Sequence, residues 1–244
     1  MDKRQELNNE LLSLLRLRLP EIKEIVKGCP IPVIYQKDDG SPVTDLDLKL
    51  SKYFEELVQT HFPDYNFYSE ENFSVWKFPL LSLDPLDGTK EYIEGNGEWA
   101  ISIGLFLNSQ FDGEGWIYNP SSGKVFDSPK LRSFISKSKY VGEVSRSEWK
   151  SGLFTDNESS KFSVRPVGSI AYKLGRLSQM ESDFVVSLRA KNIWDIAGGT
   201  LLCQKAGLRF YSQGKEVTSV EPIYHAPLIW CHEELFPELS KIYF

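Results

Sequence analysis

The chain has 244 residues, 41% of them hydrophobic and 25% charged, with a formal net charge of -6. This is the composition of an ordinary soluble globular protein, long enough for one large domain or two small ones. The acidic balance argues against a binder of nucleic-acid polymers, which would carry a basic face, and leaves an acidic small molecule open as partner. The three cysteines, Cys29, Cys203 and Cys231, are far apart and show neither zinc spacing nor a disulfide framework. A reducing, cytoplasmic setting is therefore expected. The first residues lack the apolar core of a signal peptide, and no run approaches the length of a membrane span.

In chain order, Asp2 to Lys27 reads as helical. Leu7, Leu11, Leu14, Leu15 and Leu19 share one stripe at helical spacing, and Pro20 starts a second helical piece or kinks the first. Residues 35–44 are turn-rich around Asp39-Gly40. Thr44 can cap a helix from Asp45 to about His61, with Asp45 and Asp47 in the first turn, where the helix dipole favours negative charge. Asn66-Phe-Tyr-Ser reads as a strand that delivers Glu70 and Glu71 at its end. A buried strand follows from Phe78 to Leu83, then a helical turn from Thr89 to Glu94 and a strand from Trp99 to Leu107. Turns at 110–115 and 119–123 lead into Trp116-Ile-Tyr and Lys124-Val-Phe, a pattern of antiparallel strands.

From about Lys130 strand-like and helix-like pieces alternate. Strands are expected at Phe162 to Val167, Asp183 to Ser187 and Leu208 to Tyr211. Helices are expected from Gly168-Ser169 to about Met180 and from Trp194 to Ala206, with Gly207 suited to the helix end. The fold class is α+β or α/β. An N-terminal half, residues 1–131, holds an antiparallel sheet, and a smaller α/β half covers residues 132–244.

One stretch organises the rest: Leu83-Asp84-Pro85-Leu86-Asp87-Gly88-Thr89-Lys90-Glu91-Tyr92. A buried strand ends in two carboxylates, Pro85 fixes the backbone between them, and Gly88 permits a sharp turn or a close approach to a ligand. Alone, these residues also suit an ordinary Asx turn. Like charges held together at a strand end resist ionising, and a hard divalent cation with oxygen ligands relieves that cost. Backbone N–H groups at the following helix start can hold an anion. Asp195, in Asn192-Ile-Trp-Asp-Ile-Ala-Gly-Gly, is by itself an N-cap beside a buried Trp.

As an ordered set, Val43-Thr44-x-x-Asp47, Ser69-Glu70-Glu71, Asp84-Pro-Leu-Asp-Gly-Thr89 and Trp194-Asp195-x-Ala197-Gly198 resemble the magnesium-dependent, lithium-sensitive phosphomonoesterase superfamily of inositol monophosphatase and fructose bisphosphatase. The resemblance covers nearly the whole chain. It implies a layered α-β-α-β-α sandwich, with most metal ligands in residues 1–131 and Asp195 and substrate-side contacts in residues 132–244. It implies that Glu70, Asp84, Asp87 and Asp195, with the Leu86 carbonyl, hold two or three Mg²⁺ ions. Thr89 would orient the attacking water, with Asp47 paired behind it. Gly88 and Thr89 N–H groups would hold the phosphate, and Lys37 stands where the family has a lysine near the site. No Cys, His or Ser nucleophile is needed, and His61, His225 and His232 fall in no catalytic arrangement.

Asp84-Pro-Leu-Asp-Gly-Thr-Lys-Glu-Tyr-Ile is similar to the branch that hydrolyses 3′-phosphoadenosine 5′-phosphate to AMP. The inositol monophosphatase branch, or another sugar phosphatase, is the sibling reading, and a non-catalytic phospho-ligand binder is the reading of another class. Gly168 and Ser169 align with that branch's substrate-side helix start, where N–H groups could meet a second phosphate. Arg189 and Lys191 contact a 5′-phosphate or form a solvated basic turn. The branch more often reads Trp-Asp-Thr-Ala-Ala-Gly, so Gly198 is a departure that bears on helix packing. The implied partner is a small phosphorylated molecule, with no membrane and no nucleic-acid polymer. The assembly is a monomer or a homodimer.

Overall fold

The computed structural model describes residues 3–37, 40–71, 76–129, 131, 133–155 and 159–244, with backbone alone for residues 3–8. Two expectations, Leu7 in the apolar stripe and Asp39 in the turn, fall outside the described side chains. Helices α1 (Lys3–Leu17) and α2 (Leu19–Lys27) are separate pieces, with Pro20 in the first turn of α2, where it sacrifices no helical hydrogen bond. A short hairpin of β1 (Ile34–Gln36) and β2 (Pro42–Thr44) fills the turn-rich stretch. It leads into α3 (Asp45–His61), whose cap is reciprocal: Thr44 Oγ1 accepts the Asp47 N–H, and the Asp47 carboxylate accepts the Thr44 N–H at 2.7 Å.

The first sheet runs β3 (Asn66–Ser69), β4 (Leu80–Asp87), β5 (Ala100–Phe106), β6 (Gly113–Asn119) and β7 (Lys124–Phe126) in that spatial order, and α4 (Thr89–Glu94) lies between β4 and β5. It is antiparallel except that β3 runs parallel to β4. Alternation along β5 explains its two faces. Ile101, Ile103 and Leu105 enter the core under α1, α2 and α3, while Ala100 and Phe106 face the other way.

The second half comprises β8 (Tyr140–Ser145), α5 (Arg146–Lys150), β9 (Phe162–Val167), α6 (Ile170–Ser178), β10 (Phe184–Ser187), β11 (Lys191–Asn192), α7 (Ile193–Lys205), β12 (Arg209–Ser212), β13 (Lys215–Glu216), β14 (Ile223–Tyr224), β15 (Leu228–Cys231) and α8 (Phe236–Tyr243). Its main sheet has the order β13-β12-β15-β10-β8-β9. Val185, Phe210, Leu228 and Trp230 on one face pack with Ile196 and Leu201 of α7; Phe184, Val186 and Ile229 on the other pack with Leu239 of α8. The layers are therefore α-β-α-β-α, with α6 and α7 sandwiched between the sheets. The alternation read from the sequence stops at Tyr211 and omits β8, so the strands beside β10 come from the structure alone.

Close backbone packing holds α7 on the first sheet. A Cβ built on Gly198 would stand 2.7 Å from the Ile103 carbonyl oxygen, and one on Gly115 would stand 2.2 Å from the Gly198 carbonyl oxygen. The departure at Gly198 thus has a physical reason: in this chain the helix lies too near β5 and β6 for a methyl group.

Candidate active site

Strand β4 carries the acidic pair through a bulge. Its pairing with β5 passes from Asp84↔Ser102 to Asp87↔Ala100, three steps on β4 against two on β5. Residues three apart on a regular strand face opposite sides; one extra residue brings them to the same side. Pro85 lacks the N–H that a ladder requires and sits inside this bulge. The strand therefore continues through Asp87 instead of ending at Leu83. Gly88, at φ 95, then turns the chain into α4. A Cβ there would meet Ser169 Cβ at 3.1 Å and the Glu98 carbonyl oxygen at 3.2 Å, so glycine is required on both counts.

Asp195 reaches the same place from α7. It is the third residue of that helix, not its N-cap: Asn192 is the cap, and its N–H donates to Asp195 Oδ2 at 3.1 Å. Carboxylate oxygens of Asp84, Asp87 and Asp195 lie within 4.8 Å of one another. Asp84 is 1% exposed and, like Asp195, makes no ion pair among the described residues. Burial first, then Glu70, Asp87 and Asp195, holds the Asp84 carboxyl well above the usual range. Burial pushes Asp195 up to about 7, with Lys191 opposing and Asp87 and Glu70 adding. Hard oxygen donors, clustered and without an ion pair among the described residues, fit a divalent cation.

Glu70 lies at the end of β3 and is engaged from the other side. Lys37 Nζ donates to Glu70 and to Glu71, each at 2.7 Å. Burial works against the Lys37 ammonium, but those two bonds outweigh it and raise its pKa. Burial raises Glu70 despite Lys37. Thr89 opens α4; its hydroxyl donates to the Leu86 carbonyl at 3.3 Å and lies 3.5 Å from Asp47 Oδ1. Burial lifts Asp47 to about 6 against its Thr44 hydrogen bonds, with Glu70 and Glu71 adding.

A cleft beside this cluster is bordered by Gly88, Ser145, Ser169, Lys173, Ser187 and Lys191. Arg189 is exposed, and the lining draws on Lys191 instead. The start of α6 is already occupied. Gly168 N–H donates to Glu98 Oε2 at 2.7 Å, Ala171 N–H to Asp87 Oδ2 at 2.6 Å, and Ser169 Oγ to the same Asp87 oxygen. The expected opening for a second phosphate at Gly168 and Ser169 is thus filled by protein carboxylates at two of its donors.

Sequence reasoning missed Glu98, Lys173 and the serines of β8, α5 and β10. For Lys173 a signal existed: it lies three residues after Ile170 on the face that buries Ile170, Leu174 and Leu177. For Glu98, which also pairs with Arg146, no local pattern points to the site.

A bulged acidic strand, a helix-borne third carboxylate and a threonine at a helix start define a phosphatase of metal-dependent type. The inositol monophosphatase family model matches residues 6–151, more than half of the sequence. The chain belongs to the inositol monophosphatase family. It is 26% identical over 178 residues to a fructose-1,6-bisphosphatase/inositol-1-monophosphatase of Thermotoga maritima, covering 68% of this chain and 69% of that one. It is 23% identical over 226 residues to the 3′(2′),5′-bisphosphate nucleotidase CysQ of Escherichia coli K12, covering 85% and 91%. A solved IMPase of Thermotoga maritima superposes with a TM-score of 0.80 at 20% identity, covering 94% and 96%. Among the described residues no helix is long and apolar enough to cross a membrane.

Proposed function

We propose that this phosphatase removes the 3′-phosphate of 3′-phosphoadenosine 5′-phosphate, giving AMP and phosphate, with Mg²⁺ as cofactor. The observation that supports metal-dependent hydrolysis is the convergence of Asp84, Asp87 and Asp195, with Asp84 buried and none of the three in an ion pair among the described residues. The nucleotide reading draws on Lys90-Glu91-Tyr92 after the threonine and on the extent of the similarity to CysQ.

In this reading Glu70, Asp84, Asp87, Asp195 and the Leu86 carbonyl hold two or three ions. When bound, Mg²⁺ supplies positive charge against the phosphoryl oxygens and lowers the pKa of water. Thr89, backed by Asp47, orients the water for in-line attack. Gly88 and Thr89 N–H groups hold the phosphate oxygens. The bond from phosphorus to the 3′-oxygen breaks, a water oxygen takes its place, and the leaving oxygen ends protonated. Lys191, which lines the cleft, faces the 5′-phosphate, with Arg189 outside the cleft. Lys37 engages only Oε1 of Glu70, which leaves Oε2 for a cation. Such an enzyme clears the by-product of sulfotransfer and sulfate reduction, and Li⁺ inhibits it.

The test is phosphate release with Mg²⁺ from 3′-phosphoadenosine 5′-phosphate beside inositol 1-phosphate. A strong preference for the nucleotide supports the proposal. A preference for inositol phosphate transfers it to the sibling branch, which the Thermotoga maritima relative favours. Tight binding of either without release of phosphate makes the chain a binding protein.

A further inference from the structure

Lys173 is 1% exposed, in the first turn of α6. An ammonium there opposes both desolvation and the positive end of the helix dipole. Its neighbours on the same face are apolar, so packing alone would be satisfied by methionine or leucine. What the ammonium does is visible in its contacts. Nζ donates to the carbonyl oxygens of Val167, Gly168 and Ser169 at 3.0, 3.4 and 3.0 Å, using all its protons.

Three consecutive carbonyls are thereby drawn to one side. In a planar trans peptide the N–H points opposite to the C=O. Gly168 N–H accordingly points away from Lys173, to Glu98. Ser169 between them takes φ 50 and ψ 121, a costly conformation for a residue with a side chain. In that conformation its hydroxyl accepts the Tyr172 N–H at 2.9 Å and donates to Asp87 Oδ2, which Ala171 N–H also meets. Asp87 is thus gripped by two donors from an element 82 residues further along the chain.

We propose that Lys173 is a positioning residue for the acidic cluster: it holds the turn at Ser169, and that turn aims the Asp87 carboxylate at Asp84 and Asp195. The inference rests on the reading of the cluster as a cation site.

Mn²⁺ binding to the whole chain, without substrate, tests both levels. Mn²⁺ is chosen because it takes oxygen ligands as Mg²⁺ does and its free form is read directly by electron paramagnetic resonance. The wild type binds, and Asp84→Asn does not. Lys173→Met and Ser169→Ala each weaken binding about 10-fold, the scale for losing a group that orients a ligand. Because both act through one turn, the double variant binds about as weakly as Lys173→Met alone. A lysine with a merely structural role would lower the melting temperature and leave the Mn²⁺ affinity of the folded protein unchanged; that result overturns the inference alone. Should Lys173→Met fail to fold, Ser169→Ala decides: unchanged affinity shows that the Ser169 hydroxyl does not aim Asp87 and overturns the inference, and weakened affinity supports it. A wild type that does not bind Mn²⁺ overturns the cation-site reading as well.

Discussion

Asp47 is shared between two elements. Its Oδ2 closes the cap of α3 on the Thr44 N–H, and its Oδ1 lies 3.5 Å from the Thr89 hydroxyl at the start of α4. Capping explains an acid at this position, yet the burial that lifts Asp47 to about 6 exceeds what a surface cap requires.

The two duties separate by mutation. Thr89→Ala leaves the α3 cap intact, so the melting temperature should hold within about 0.5 kcal/mol of stability. Its kcat should fall on the order of 100-fold, the scale for losing one group that handles a proton. Asp47→Ala should lower both, with about 1 kcal/mol lost through the cap. Steady-state kinetics and thermal melts on the two variants check this. Near-normal kcat in Thr89→Ala removes the threonine from the reaction.

Asp84→Asn should abolish turnover while keeping the fold. In chelator it should melt higher than wild type, since it removes a buried charge that Glu70, Asp87 and Asp195 all repel. Turnover within about 10-fold of wild type would contradict the role of Asp84.

The same acids set a pH dependence for the metal-free chain. Asp47 and Asp195 titrate near 6 and 7 in the folded state against an ordinary 3.8, and Asp84 is also raised. The native state therefore binds these protons more tightly than the unfolded state. Stability in chelator should, as far as these groups are concerned, be highest below the unfolded value of 3.8, fall as pH rises from there through about 6 and 7, and level off above. Mg²⁺ should raise the melting temperature more at pH 8 than at pH 5, because it binds the ionised carboxylates. Melts across pH 5 to 8, with chelator and with Mg²⁺, read both signs; a Mg²⁺ shift that is independent of pH would count against the cluster as the binding site.

Gly198→Ala inserts a methyl group where the Ile103 carbonyl oxygen already lies 2.7 Å from the Cβ position. Overpacking of this kind costs about 1–3 kcal/mol. Since α7 also carries Asp195, kcat should fall with the melting temperature. Unchanged stability would mean that α7 moves freely on β5 and β6.

What the sequence by itself determined is local. The Thr44 cap, the break at Pro20, the strand ending at Glu70, the glycine turn into α4 and the identity of the acidic residues all follow from steric rules and short-range hydrogen bonds within a few residues. The tertiary structure decided the rest. The bulge that turns Asp84 and Asp87 to one side exists only in pairing with β5, and Asp195 meets them only because glycines let α7 settle onto the first sheet. The α6 start, open to a phosphate by sequence, is filled by Glu98 and Asp87 from elements 70 and 84 residues away. The partner strands β8 and β15 were unread because their apolar runs are short and gain their meaning from neighbours distant in sequence. Lys173 shows the limit most plainly. Its place on a buried helical face was legible, but the three carbonyls that make its charge tolerable come together only when the strand before α6 is held in the folded layers.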